Sequence, residues 1–115
     1  MGKLTTHVLD TTYGRPGAGI AVKLFSMENG RHLVASATTN ADGRTEAPLL
    51  EGDRFLSGVY ELEFSVGTYF REAGATLADP PFLDEVVIRV TLAAEASYHV
   101  PLLVTPWSYS TYRGS

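Results

Sequence analysis

Between Tyr60 and Val66 the chain reads Tyr-Glu-Leu-Glu-Phe-Ser-Val, apolar and polar residues in strict alternation. A strand puts successive side chains on opposite faces, so a period of two commits this segment to a sheet with one side buried. The pattern recurs with Val86, Ile88, Val90 and Leu92 on one side and Val87, Arg89 and Thr91 on the other. Further β-prone runs cover Thr5 to Asp10, Ile20 to Phe25, Leu33 to Thr39 and Tyr98 to Val104, each bounded by turn residues, and Trp107 to Thr111 is β-prone as well. Tyr13 to Gly17 marks a loop, Asn40-Ala41-Asp42-Gly43 a tight turn and Glu51-Gly52-Asp53 another. Only Gly67 to Gly74 suits a helical turn or two, with Gly74 placed to end it. Seven or eight short strands divided by turns predict an all-β fold, an antiparallel β-sandwich.

With 115 residues, 44% of them hydrophobic, the chain has material for one modest core, hence a single domain over residues 1–115. A net charge of -4 with no basic run speaks against nucleic acid and anionic membrane surfaces as partners. The absence of cysteine excludes a disulfide framework, a thiol nucleophile and thiolate metal sites. Met1 to His7 lacks the apolar stretch of a signal peptide, no apolar run reaches membrane-spanning length, and Gly114-Ser115 is no peroxisomal address, so the expected location is cytoplasmic.

Chemistry has few carriers. His7 and His99 lie in strand-like runs near opposite ends of the chain; His7 shares a face with Thr5 and Leu9, and His99 with Pro101 and Leu103. Either histidine, taken alone, reads more readily as a surface or core residue with an ordinary hydrogen bond than as a catalyst. His32, in the turn-like Asn29-Gly30-Arg31-His32, reads as exposed. Arg44 follows the Asn40 to Gly43 turn, which could fix its direction, although an arginine after a turn is usually solvated. Pro101 removes a ladder donor from its strand and predicts an edge or a place where regular pairing breaks. Two histidines without a carboxylate cluster at ligand spacing leave a metal shell short, so no metal is expected. There is neither a nucleophile-elbow signature nor a glycine-rich phosphate loop. The end Tyr112-Arg113-Gly114-Ser115 would by itself be a fraying polar tail, except that the β-prone run before it could hold it in a sheet.

Leu4-Thr5-Thr6-His7-Val8-Leu9-Asp10-Thr11, Thr39 to Thr45, Tyr98-His99-Val100-Pro101-Leu102-Leu103 and Ser108 to Ser115 together resemble the 5-hydroxyisourate hydrolases, the transthyretin-related enzymes of urate breakdown. The likeness runs the whole length of the chain; Pro80 to Val86 looks like the family's loop into its penultimate long strand, and Pro16-Gly17 departs from a more usual proline-alanine. The resemblance implies a transthyretin-like sandwich of two four-stranded sheets with one short helix, assembled as a homotetramer with active sites at the dimer–dimer interface. It implies cofactor-independent hydrolysis of 5-hydroxyisourate to 2-oxo-4-hydroxy-4-carboxy-5-ureidoimidazoline. Catalytic roles would fall on His7, Arg44, His99 and Ser115, and substrate-binding roles on His7, Arg44, Tyr112 and Arg113.

Those residue types suit the chemistry. Water must attack a ring carbonyl while a base takes its proton and a cation holds the developing oxyanion. His99 is the candidate base, worth ~10²–10⁴-fold in rate. Arg44 offers a planar fork of donors for charge stabilisation. His7 would position water or substrate or share the proton transfer, and Tyr112 would hydrogen-bond a ring edge. The alternative is a transthyretin-like carrier of a small hydrophobic hormone, which the polar set His7, Arg44, His99 and the tail disfavours.

Overall fold

Nine strands, one short helix and one 3-10 turn make up the computed structural model, which describes residues 2–114. In chain order they are β1 (Lys3–Asp10), β2 (Arg15–Pro16), β3 (Ala21–Ser26), β4 (His32–Thr38), β5 (Leu50–Glu51), the 3-10 turn Gly52–Arg54, β6 (Gly58–Ser65), α1 (Val66–Glu72), β7 (Glu85–Leu92), β8 (Tyr98–Val104) and β9 (Tyr109–Thr111). One sheet runs β4-β3-β6-β7, and the other runs β2-β1-β8-β9 with β5 also on β1. A two-sheet sandwich with a single helix is therefore what forms, one sheet four-stranded as expected and the other five-stranded once β5 is counted. The two-residue strands β2 and β5 arise in segments whose sequence shows only loop and turn chemistry.

The alternation that predicts the strands also builds the core. Tyr60, Leu62 and Phe64 of β6 and Val66 just after it are buried, as are Val86, Ile88 and Leu92 of β7. They meet Leu4 and Val8 of β1 and Val100, Leu102 and Val104 of β8 from the other sheet. Each large side chain so buried contributes roughly 1.5–3 kcal/mol. After β6 the helix α1 closes one end of the sandwich with Val66, Gly67, Tyr69 and Phe70 inward. It stops where expected, because Gly74 takes φ +87° and the amides of Gly74 and Ala75 return to the carbonyls of Arg71 and Phe70.

One pairing departs from an antiparallel plan. β1 and β8 run parallel, with Thr5 beside His99 and His7 beside Pro101. Parallel neighbours need a long crossover, and here the entire second sheet supplies it. Residues from the two ends of the chain thus become immediate neighbours.

Along its other edge β1 is covered piecewise. β2 pairs at Leu9 and Asp10, Gly43 accepts the Val8 amide and Arg44 forms an isolated bridge with His7, and β5 pairs at Lys3 and Leu4. Pro101 does not mark a sheet edge, since β8 lies between β1 and β9; it marks the break in pairing instead. β9 pairs with β8 as far as Leu102–Thr111, the pairing lapses at Pro101, and it resumes in the same register at the bridge His99–Gly114. The His99 carbonyl accepts the Gly114 amide, so the proline two residues on presents its missing donor to the same side, facing the tail. The hydroxyl of Thr111 donates to the Pro101 carbonyl at 2.6 Å across that gap.

Candidate active site

On β1 the inward side chains Leu4, Thr6, Val8 and Asp10 are buried, while Thr5, His7 and Leu9 are half-buried on the outer face. The parallel register places His99, also half-buried, on that same outer face beside Thr5. The two imidazoles stand 6.4 Å apart between ring centroids, tilted by 37°.

Among the described residues each ring is tied down by one nitrogen. His7 donates through Nε2 to the backbone carbonyl of Asp42 at 2.8 Å. A carbonyl only accepts, so Nε2 carries the hydrogen and a neutral His7 keeps its lone pair on Nδ1. His99 is held by its other nitrogen, with Nδ1 2.9 Å from the hydroxyl of Thr5. Gly114 closes over His99, where a Cβ would come within 2.7 Å of ring atom Cδ2.

Arg44 reaches this place through its turn. The Asn40 side-chain oxygen accepts the amides of Asp42 at 2.9 Å and Arg44 at 3.2 Å, and Asn40 and Arg44 also join through the backbone. Gly43 sits between them at φ +77°, where a Cβ would collide with the Val8 carbonyl. The guanidinium is exposed, and no carboxylate among the described residues ion-pairs with it. Its charge is felt at His99: partial burial, then Arg44, then His7 hold the His99 pKa below the ordinary histidine value of 6.5. His99 is therefore mostly the neutral imidazole at neutral pH, the form that accepts a proton.

Of the sequence-derived candidates, His7, Arg44 and His99 converge. Tyr112 stands opposite Pro101 in the tail's register and is exposed. Arg113 goes elsewhere: its guanidinium lies 4.2 Å over the Tyr98 ring and donates to the Ser97 carbonyl at 3.2 Å, so it packs on the edge of the sandwich. Ser115 lies outside the described residues. His32 opens β4 and is exposed, in keeping with its turn-like surroundings. Sequence reading gives no role to Thr5, the Asp42 carbonyl or Asn40. A signal for Thr5 existed, its place on the His7 face, but its partner is 94 positions away. Among the described residues no third histidine or carboxylate joins the two rings in a ligand cluster.

The model of the HIUase/Transthyretin family matches residues 4–114. A 5-hydroxyisourate hydrolase of Ralstonia nicotianae is 59% identical over 117 residues, covering all of both chains. A crystal structure of (S)-allantoin synthase superposes with a TM-score of 0.94 at 44% identity, over 99% of this chain and 44% of that one, so this chain spans less than half of that protein. Sea bream transthyretin in complex with thyroxine superposes with a TM-score of 0.87 at 28% identity, over 97% of this chain and 94% of that one.

Proposed function

This chain belongs to the HIUase/Transthyretin family, and on that footing we propose that it hydrolyses 5-hydroxyisourate to 2-oxo-4-hydroxy-4-carboxy-5-ureidoimidazoline. The observation that carries the reading is an anchored His99, its pKa held below the ordinary value, together with a second anchored imidazole and an Arg44 that has no carboxylate partner among the described residues, all on one face.

The substrate ring is polar and readily ionised. Arg44 binds it and holds the negative charge that develops on the carbonyl oxygen. His99 takes a proton from water through Nε2 as the oxygen attacks the ring carbonyl, which forms the tetrahedral adduct. Collapse of the adduct breaks the ring C–N bond, and the proton held on the imidazolium passes to the departing nitrogen. His7, with Nδ1 bare and Nε2 fixed on Asp42, orients the water or the substrate edge. Tyr112 adds a hydrogen bond at the rim, and Ser115 completes the tail's contribution.

Five clefts among the described residues are lined by residues other than His7, Arg44 and His99, which stand on the outer face of the β2-β1-β8-β9 sheet. A homotetramer in which two such faces enclose a channel supplies the missing walls and excludes water from the charges. Cytoplasmic residence is part of the same proposal, tested by cell fractionation.

A hormone carrier needs an apolar channel. The polar triad, together with 59% identity to a hydrolase against 28% to a transthyretin, favours the enzyme. The deciding assay follows the absorbance of the hydroxyisourate generated from urate by urate oxidase, with and without this protein. Acceleration above spontaneous decay is expected, and decay at the spontaneous rate rejects the enzyme.

A further inference from the structure

We infer that Thr5 is a positioning residue of this site: its hydroxyl accepts the Nδ1–H of His99 and so keeps the ring in the tautomer whose Nε2 is bare. The inference deepens the hydrolase reading and rests on it for the kinetic consequence alone.

The pairing is written into the backbone. Thr5 and His99 are register partners in the parallel β1–β8 ladder, so their side chains emerge side by side on the outer face. A β-branched threonine has few χ1 choices on a strand, which makes the 2.9 Å contact a fixed feature of the sheet. Gly114 packs against the His99 ring, close enough that an added Cβ would stand 2.7 Å from Cδ2. Nε2 has no hydrogen-bond partner among the described residues, whereas Nδ1 has one.

The choice of a hydroxyl is chemically specific. Nδ1 bears a hydrogen both in the neutral Nδ1–H ring and in the imidazolium, so the same acceptor serves while Nε2 gains a proton and returns it. A carboxylate would also accept that hydrogen, but its negative charge would favour the imidazolium and make His99 a base already protonated near neutrality. Among the described residues, the charged and titratable groups that face His99 from the packed elements are Arg44 and His7, neither of them anionic. A neutral acceptor thus orients the ring without undoing the effect of Arg44. Threonine chosen only for its strand propensity would make no use of its oxygen.

The test combines spectroscopy and kinetics on the full chain. In ligand-free wild type, ¹⁵N spectra of the His99 ring should show the Nδ1–H tautomer predominating; an Nε2–H ring overturns the inference. Thr5→Val keeps the β-branched shape and should give a tautomer mixture, while Thr5→Ser restores the wild-type spectrum. In kinetics Thr5→Val should lower kcat ~10- to 100-fold, the range set by slight misplacement of a catalytic group, with KM little changed and Thr5→Ser recovering most of the rate. Wild-type kcat in Thr5→Val overturns the role. If wild type fails to hydrolyse hydroxyisourate, the hydrolase reading falls while the spectra still decide the tautomer.

Discussion

Gly114 is packed directly against His99. Its amide donates to the His99 carbonyl at 2.7 Å, and a methyl group on its Cα would stand 2.7 Å from ring atom Cδ2, closer than real Cβ contacts allow. The penultimate residue is therefore a backbone lid on the proposed base. A tail that would otherwise fray is held at Gly114 by this hydrogen bond and by the close approach that a missing side chain permits, and at Arg113 by the Ser97 carbonyl and the Tyr98 ring.

Gly114→Ala should accordingly injure activity far more than stability. Either the tail lifts or the imidazole turns away from Thr5, and kcat/KM is expected to fall ~100-fold, as for a displacement of about 1 Å at a reacting group. The thermal midpoint should hardly move, because β9 is exposed throughout and adds little buried surface. Full activity in the alanine variant would mean that the close contact does not constrain the ring.

The two halves of the polar site meet through Asn40. Its side-chain oxygen caps the amides of both Asp42 and Arg44, so one acceptor sets the carbonyl that holds His7 and the direction in which Arg44 leaves the turn. Asn40→Ala should lose more than 10-fold in kcat/KM by moving two groups at once. Asn40→Asp keeps that oxygen and should recover most of the loss, which steady-state kinetics on the pair would establish. Equal activity of both variants with wild type would show that the turn holds without its cap.

The alternation at Tyr60 to Val66 and Val86 to Leu92 was enough to orient two strands correctly, because burial on one face has a short-range signature. The helix end at Gly74 was legible for the same reason, since a left-handed cap needs a particular residue. Pro101 shows the limit: its lost donor was plain in the sequence, but whether the strand was an edge depended on where residues 109–111 returned. The parallel β1–β8 ladder had no local signature, so the Thr5–His99 contact was invisible although both residues were in view. The placement of Arg113 was hidden in the same way: the resemblance implies a substrate-binding role for it, and its packing on the Tyr98 ring depends on the long-range pairing of the tail with β8.

Stability should depend on a polar contact that the proposed chemistry does not use. Asp10 is buried at 1% exposure, and its Oδ2 accepts the Tyr69 hydroxyl at 2.6 Å while Oδ1 accepts the amides of Thr12 and Tyr13. Tyr69→Phe removes one donor and leaves that oxygen with only Arg15, 3.8 Å away. A loss of about 1–3 kcal/mol is expected, seen as a lower urea midpoint at unchanged m-value, with kcat within about twofold of wild type. An unshifted midpoint would show that water or Arg15 replaces the hydroxyl without loss.

The ionisation of His99 provides the sharpest test of Arg44. Burial and the neighbouring guanidinium both disfavour the imidazolium, so the ring should titrate below 6.5, and Nε2 should stay available as the pH falls past the point where an ordinary histidine is half protonated. Within that interval the unfolded chain binds the proton more readily than the folded one, so folding stability also declines there as the pH drops. Arg44→Gln removes one of the lowering influences and should move the His99 midpoint upward, with the acid limb of kcat/KM following it. An NMR titration of the His99 Cε1–H in ligand-free protein reads the shift without interference from the substrate's own ionisation. A midpoint unmoved by the substitution would mean that burial alone depresses His99, and Arg44 would then be left with substrate charge as its whole task.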